Sequence, residues 1–199
     1  MCLACKGVLG GYTSESRCQE TGAPCFRPGD SITRGQMAKI VANAAGFTEE
    51  HSDQGFKDVP ATHTFYVYIQ RLASRGIVSG YNDVSHCSED TGAPCFLPDA
   101  FVTRGQMSKF VSEAADFNEP VLLTTQSFSD VPSADTFWLY VERLSGRSVV
   151  GGYACGGENE ACDDQNRPYF RPTTDVTRGQ ASKFVGLAFS PSCQAPAGK

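Results

Sequence analysis

The 199-residue sequence predicts a mainly α-helical protein made of three tandem helix-loop-helix repeats, the first of them truncated. Three observations carry this. Thr-Arg-Gly-Gln occurs three times, at residues 33–36, 103–106 and 177–180. Each occurrence opens an apolar pattern of helical period. A Gly-Tyr pair and a Phe-x-Pro turn precede it in the same order every time.

The helix after Thr-Arg-Gly-Gln follows from its spacing. Met37, Ile40, Val41 and Ala44 fall in steps of three and four, as do Met107, Phe110, Val111 and Ala114, and Ala181, Phe184, Val185 and Ala188. The motif reads as a capping box, with threonine at the N-cap and glutamine three residues on reaching back to the threonine amide. An arginine in the first turn opposes the helix dipole, so its threefold recurrence needs a reason other than helix stability. A second helix is expected over 64–75 and 136–147, where Phe65, Ile69 and Leu72, and Phe137, Val141 and Leu144, share one face. Gly76 fits a left-handed C-cap. Only the last turn of this element is present before the first Gly-Tyr, at Leu3 to Lys6, so the chain is expected to start in mid-repeat. That start predicts an open slot beside the Met37–Ala44 helix, filled by a longer native chain, the favoured reading, by an element of a second molecule, or by the C-terminal tail from Ser190 to Lys199.

The domain boundaries follow: a partial repeat over 1–47, full repeats over 52–119 and 124–190, and a tail over 191–199. The threonines are 70 and 74 residues apart, and units of that size bury most of their core by stacking on neighbours.

Nine cysteines cannot all pair within one chain. Two lie in each polar loop after Gly-Tyr, and the expected bonds are Cys18–Cys25, Cys87–Cys95 and Cys155–Cys162. Each would contribute roughly 2–3 kcal/mol in the chain-entropy account. A four-thiolate zinc site of Cys2, Cys5, Cys18 and Cys25 explains less, because the later copies lack the Cys-x-x-Cys partner. Cys2, Cys5 and Cys193 are left to pair in part or to link to another chain. Disulfides at this density imply an oxidising compartment.

Composition excludes other classes. A net charge of -5 argues against nucleic-acid binding. No apolar run approaches the roughly 18 residues that span a bilayer, and the N-terminal residues do not form a signal peptide. No nucleophile elbow, zinc-protease, P-loop or dinucleotide motif is present. His51, His63 and His86 read as solvated, Asp53, Asp58, Asp83, Glu89 and Asp90 form no repeated acid–base pair, and Asp163-Asp164 reads as a solvated loop rather than a calcium site. No cofactor, metal or catalytic residue is expected.

These motifs together resemble the S-layer homology domain family. The matching residues are Phe56-Lys-Asp-Val-Pro60, Gly76-Ile-Val-Ser-Gly-Tyr81, Phe96-Leu-Pro98 and Thr103-Arg-Gly-Gln106, with equivalents in the third copy and in the later part of the first. The resemblance implies a pseudo-threefold helical unit that holds an exported protein on the bacterial surface by non-covalent binding to cell-wall polysaccharide. It places Arg34, Arg104 and Arg178 in ligand grooves, with Gly80, Tyr81, Gly152 and Tyr153 beside them. The implied ligand is an acidic polysaccharide, often pyruvylated, and further partners are other copies or an upstream exported domain. The sequence departs from the family pattern in carrying glycine and glutamine where alanine and glutamate are usual. It also has Phe65-Tyr66 and Phe137-Trp138 in place of a tryptophan.

A guanidinium beside free helix N-terminal amides suits a carboxylate ligand. The alternative is an arginine packed over a neighbouring helix or paired with Asp58 or Asp130. On the ligand reading, Arg104→Ala weakens wall binding at nearly unchanged melting temperature. The rival function is a sheath- or filament-forming protein that pairs with other chains without binding sugar.

Overall fold

A computed structural model of the chain describes residues 2–5, 7–19, 22–50, 55–90 and 92–189. His51, Asp53, Cys193 and the tail lie outside them, as do the side chains of Cys2 and Cys5. Five helices of nine to twelve residues dominate: α2 (Arg34–Ala44), α3 (Tyr66–Ser74), α4 (Arg104–Ala114), α5 (Trp138–Gly146) and α6 (Arg178–Phe189). A four-residue turn, α1 (Cys2–Cys5), precedes them. Among the described residues, extended pairing is confined to isolated bridges.

The capping box forms at every Thr-Arg-Gly-Gln. The Gln36, Gln106 and Gln180 amides donate to threonine Oγ1 at 3.3 Å, and the threonine amides donate to glutamine Oε1 at 3.1–3.3 Å. These cap α2, α4 and α6, which pack on one another at the centre. An outer helix backs each of them: α3 against α2, α5 against α4, and the short α1 against α6. The slot expected beside Met37–Ala44 is therefore taken by α3, because α3 and α5 pack on the central helix of the preceding copy and not on that of their own. The apolar faces meet in one core containing Met37, Val41, Met107, Val111, Ala181 and Val185, with Ile69, Leu72, Val141 and Leu144 from the outer helices.

At the centre, three backbone bonds close on themselves. Val102 N–H donates to Ile32 O at 3.1 Å, Ile32 N–H to Val176 O at 2.9 Å, and Val176 N–H to Val102 O at 2.9 Å. The side chains of all three residues are fully buried. Each donor and acceptor sits in a different copy of the sequence motif.

The outer helices start two residues later than their periodicity suggests. Phe65 and Phe137 take the N-cap place, and their amides donate to His63 Nδ1 at 3.2 Å and Asp135 Oδ1 at 2.7 Å. His63 is therefore a turn-forming residue rather than a solvated one. The C-termini close as expected, with Gly76 at φ +71°. Ser148 stands at the same place in the third copy and takes φ +57° without being glycine.

Glycine at the second helical position has a steric reason. A Cβ on Gly35 would overlap the Phe65 ring, and one on Gly105 would overlap the Phe137 ring. The outer helix thus sets an aromatic ring directly on the backbone of the central helix. This explains why alanine is replaced where the paired residue is phenylalanine.

Around the rim, the segments after α2 and α4 are tied to the outer helices. Arg75 pairs with Glu49 at 2.6 Å and lies over Phe47, and Arg147 pairs with Glu119 at 2.8 Å and lies over Phe117. The hydrogen bond from Arg75 is the first cause that holds the Glu49 carboxyl down to about 2, and Arg147 lowers Glu119 in the same way.

Two outcomes follow. In Gly105→Ala, overlap with Phe137 costs about 1–3 kcal/mol, against a gain of about 1 kcal/mol in helix propensity. Urea unfolding is therefore expected to show net destabilisation. The second concerns pH. A carboxyl depressed in the folded state stabilises it above the unfolded value of about 4.3, and that contribution is lost as pH falls through the folded value. The melting temperature should decline on acidification from about pH 5 toward 2. Glu49→Gln with Glu119→Gln should flatten that decline.

Candidate functional site

The three recurrent arginines mark three equivalent junctions. At each, the start of one central helix meets the Phe-x-Pro turn of the next copy. The first two helix amides donate outward: Arg34 and Gly35 to Ala100 O and Pro98 O, Arg104 and Gly105 to Thr174 O and Pro172 O, and Arg178 and Gly179 to Asp30 O and Pro28 O, at 2.8–2.9 Å. The third amide is taken by the threonine cap. The amides that the sequence offers to an anion are thus bonded within the protein.

The guanidiniums point the same way. Arg34 Nε donates to Phe96 O at 2.8 Å, Arg104 Nε to Phe170 O at 2.6 Å, and Arg178 Nε to Phe26 O at 2.9 Å. A second donor, Nη2, reaches Gly151 O from Arg104 at 3.2 Å and Gly10 O from Arg178 at 2.9 Å. All three side chains are buried, at 3–6% exposure. Burial pulls the Arg34 and Arg104 guanidiniums below their ordinary value, opposed first by Tyr81 and Tyr153 and then by Asp58 and Asp130.

Asp58 and Asp130 form no ion pair with these arginines. Their carboxylates accept the amides of Phe96 and Leu97, and of Phe170 and Arg171, at 2.6–2.8 Å. Each aspartate of Asp-Val-Pro therefore shapes the turn whose carbonyls the arginine grips. Leu97 and Arg171 take positive φ inside that clamp.

A tyrosine covers each guanidinium. Tyr81 lies over Arg34 at 5.2 Å, Tyr153 over Arg104 at 5.2 Å and Tyr12 over Arg178 at 4.6 Å. A further flat or cationic group lies against the same ring: His86 stacked on Tyr81 at 4.4 Å, Arg171 over Tyr153 at 3.9 Å, and Arg17 over Tyr12 at 5.1 Å. Gln106 and Gln180 donate from Nε2 to the hydroxyls of Tyr81 and Tyr153 at 3.1 Å. That bond gives the glutamine a use as a donor that a carboxylate lacks. Gly80 and Gly152 are demanded by packing: a Cβ on Gly80, at φ +63°, would strike Phe56 and Cys95 O, and one on Gly152 would strike Pro168 and Phe128.

Arg17, His86 and Arg171 are not singled out by the motifs. Arg17 and His86 do share a signal, since each stands five residues after its tyrosine and just before a cysteine. Arg171 reaches the same ring from the Phe-x-Pro turn, which no spacing discloses.

The loop bonds Cys18–Cys25, Cys87–Cys95 and Cys155–Cys162 form, with Cα separations of 5.6, 5.7 and 4.9 Å. This removes the zinc alternative. The third is placed differently, however. In the first two copies the second cysteine pairs with the tyrosine backbone, whereas Tyr153 pairs with Tyr169. There Asp163 takes over the closure, accepting from Ser129 Oγ and Arg167 Nε as well as from two backbone amides. Asp163 is therefore a loop fastener rather than merely solvated, its carboxyl lowered first by the Arg167 amide. Among the described residues no cluster of His, Cys, Asp or Glu has the arrangement of a metal site.

At one junction the surface opens into a cleft of about 500 Å³. Tyr12, Arg17 and Gln36 from the first copy and Phe65, Asp99 and Phe101 from the second are among the residues that line it. Phe101 is 53% exposed although it bridges to Thr33 through the backbone. A second hollow of about 570 Å³ shares Arg17 and Asp30 with the first.

Residues 55–108 and 127–182, just over half of the chain, match the S-layer homology domain. The chain belongs to that family. S-layer homology domains are non-catalytic modules that anchor proteins at the cell surface. The chain is also similar to an endoglucanase from Bacillus sp. (strain KSM-635), with 26% identity over 168 residues. That match covers 83% of this chain but 15% of the endoglucanase. In this S-layer homology chain no helix among the described residues is long and apolar enough to cross a membrane.

The burial of the arginines reverses the expected result of their removal. Arg104→Ala deletes two charge-assisted bonds and strands the buried Phe170 O, at about 1–3 kcal/mol for an unsatisfied buried group. A clear drop in melting temperature is expected. Arg104→Lys should recover only part of it, because one ammonium cannot serve two carbonyls and a stacked ring together.

Proposed function

We propose that the three copies form a pseudo-threefold unit, divided near 1–47, 52–119 and 124–190, that holds its protein at the bacterial surface by binding cell-wall polysaccharide between copies. The cleft at Tyr12, Gln36, Phe65 and Phe101 carries this reading. It lies between two copies and combines exposed aromatic surface with hydrogen-bonding groups, the combination that grips a sugar ring. The other junctions repeat the tyrosine, glutamine and buried arginine, so one polymer can be engaged at several places and gain avidity.

In this reading Tyr81 and Tyr153 face the ligand at their own junctions, and Gly80 and Gly152 hold the adjoining backbone in place. Arg34, Arg104 and Arg178 act from beneath the tyrosines. Their charge biases the grooves toward an acidic substituent, while their donors keep the two copies together. Arg17, Arg171 and His86 present the outer surface to the glycan. Neither catalysis nor a cofactor has a part in this activity. The chain would act outside the cell, on the wall or the surface layer.

The test is a pull-down of the oxidised protein with purified cell-wall polysaccharide, before and after removal of its acidic substituents. Arg17→Ala and Phe101→Ala are the informative variants, because both residues are exposed and their loss should leave the melting temperature within a few degrees of the parent. Each should weaken retention by roughly tenfold, equivalent to about 1.4 kcal/mol. Undiminished retention by the double variant would remove the cleft from the binding site.

A further inference from the structure

The tyrosines that cover the buried arginines each have a partner on the outer face, and the partners differ in kind. Arg17 lies against Tyr12, Arg171 against Tyr153 and His86 against Tyr81. Two of these are permanent cations. Histidine is the side chain whose charge ordinarily turns over between about pH 5 and 8. His86 follows its tyrosine by five residues and precedes a cysteine, as Arg17 does, so two copies put different chemistry at one place. Its ring lies flat on Tyr81, with 4.4 Å between centroids and 8° between planes.

His86 is also paired as Arg171 is. His86 Nδ1 lies 2.7 Å from Asp83 Oδ1, and Arg171 Nε lies 2.6 Å from Glu160 Oε1. Hydrogen bonds from the Ser85 hydroxyl, and after it from His86, hold the Asp83 carboxyl down to about 2. Asp83 is therefore an anion throughout the range in which imidazoles titrate. An ionised carboxylate only accepts, so Nδ1 is the donor and Nε2 gains and loses the second proton. The imidazole is half exposed, and solvent reaches it. Arg34 of α2 lies across the Tyr81 ring at 5.2 Å, with Asp58 beyond it. Lys57 approaches the same loop at Gly92, and Glu89 and Asp90 are exposed within that loop.

We propose that His86 makes the Tyr81 junction selective by pH, favouring an acidic substituent of the wall polysaccharide when protonated and disfavouring it when neutral. This rests on the anchoring reading above. The His86–Asp83 pair carries one negative charge when the imidazole is neutral and none when it is protonated, whereas the Arg171–Glu160 pair carries none in either case. Protonation also turns Nε2 from an acceptor into a charged donor, which a carboxylate ligand can use. The junctions at Tyr12 and Tyr153 keep their cations, so the module holds at neutral pH and tightens on acidification.

The test measures retention of the oxidised protein on purified cell-wall polysaccharide with its acidic substituents intact. It is read at about pH 5.5 and about pH 8, on either side of the imidazole range, at one ionic strength. Retention should be about threefold higher at the lower pH. His86→Arg, which copies Arg17, should keep the higher value at both, and His86→Gln the lower value at both. The opposite directions of the two variants separate charge from any loss of fold. His51 and His63 are present in every protein compared, so a slope that they cause survives both substitutions. Polysaccharide stripped of its acidic substituents should give no slope. A parent without a slope, a slope that both variants share, or one that persists on stripped polysaccharide would each overturn the proposal. A parent that is retained at neither pH would overturn the anchoring reading itself, and this proposal with it.

Discussion

Everything in this chain depends on how a helix start is bonded to the turn of its neighbour. Three donors at the head of each central helix, two backbone amides and an arginine Nε, grip carbonyls at successive alternate positions of the next Phe-x-Pro segment. A helix normally leaves its first amides to solvent or to a cap. Here they are spent on joining copies, and that explains an arginine that the helix dipole disfavours. Its long side chain carries the charge away from the helix axis onto a neighbour's carbonyls and aromatic rings. Planarity matters at that distance, because the same group must donate in its plane and stack on its faces.

The junction also explains neighbouring residues. Aspartate of Asp-Val-Pro bends the turn so that its carbonyls face the helix, and glycine after the arginine lets an outer aromatic ring approach the backbone. Glutamine serves twice, accepting at the cap and donating to a tyrosine. These are local solutions to one demand, that units with little core of their own be held together in a closed set. The joining also brings the surfaces of two copies close, and the cleft lies where they meet.

Much of this was legible in the sequence. Capping residues located the starts of α2, α4 and α6 to the residue, and the recurrence of paired cysteines located the loop bonds. Two kinds of information were not legible. Exposure of a recurrent arginine cannot be read from its recurrence: a residue kept at three equivalent positions satisfies binding and assembly equally well, and only the carbonyls of Phe26, Phe96 and Phe170 distinguish them. Partners supplied by irregular loops were also hidden. Arg171 shares a ring with Tyr153 although Arg17 and His86 occupy the corresponding place by a different route, and Asp163 fastens the third loop in addition to its disulfide. Loops that differ in length offer no periodicity from which such substitutions can be inferred.

The contacts that close the set join residues far apart in the chain. Arg178 bonds to Phe26 across 152 residues and to Gly10 across 168. Such contacts demand that nearly the whole chain be present before the last junction forms. A nascent chain that has released its first two Thr-Arg-Gly-Gln helices still exposes the Phe26 turn that α6 will take. Synthesis and folding are thereby ordered in time: the unit is complete only once its final helix has arrived.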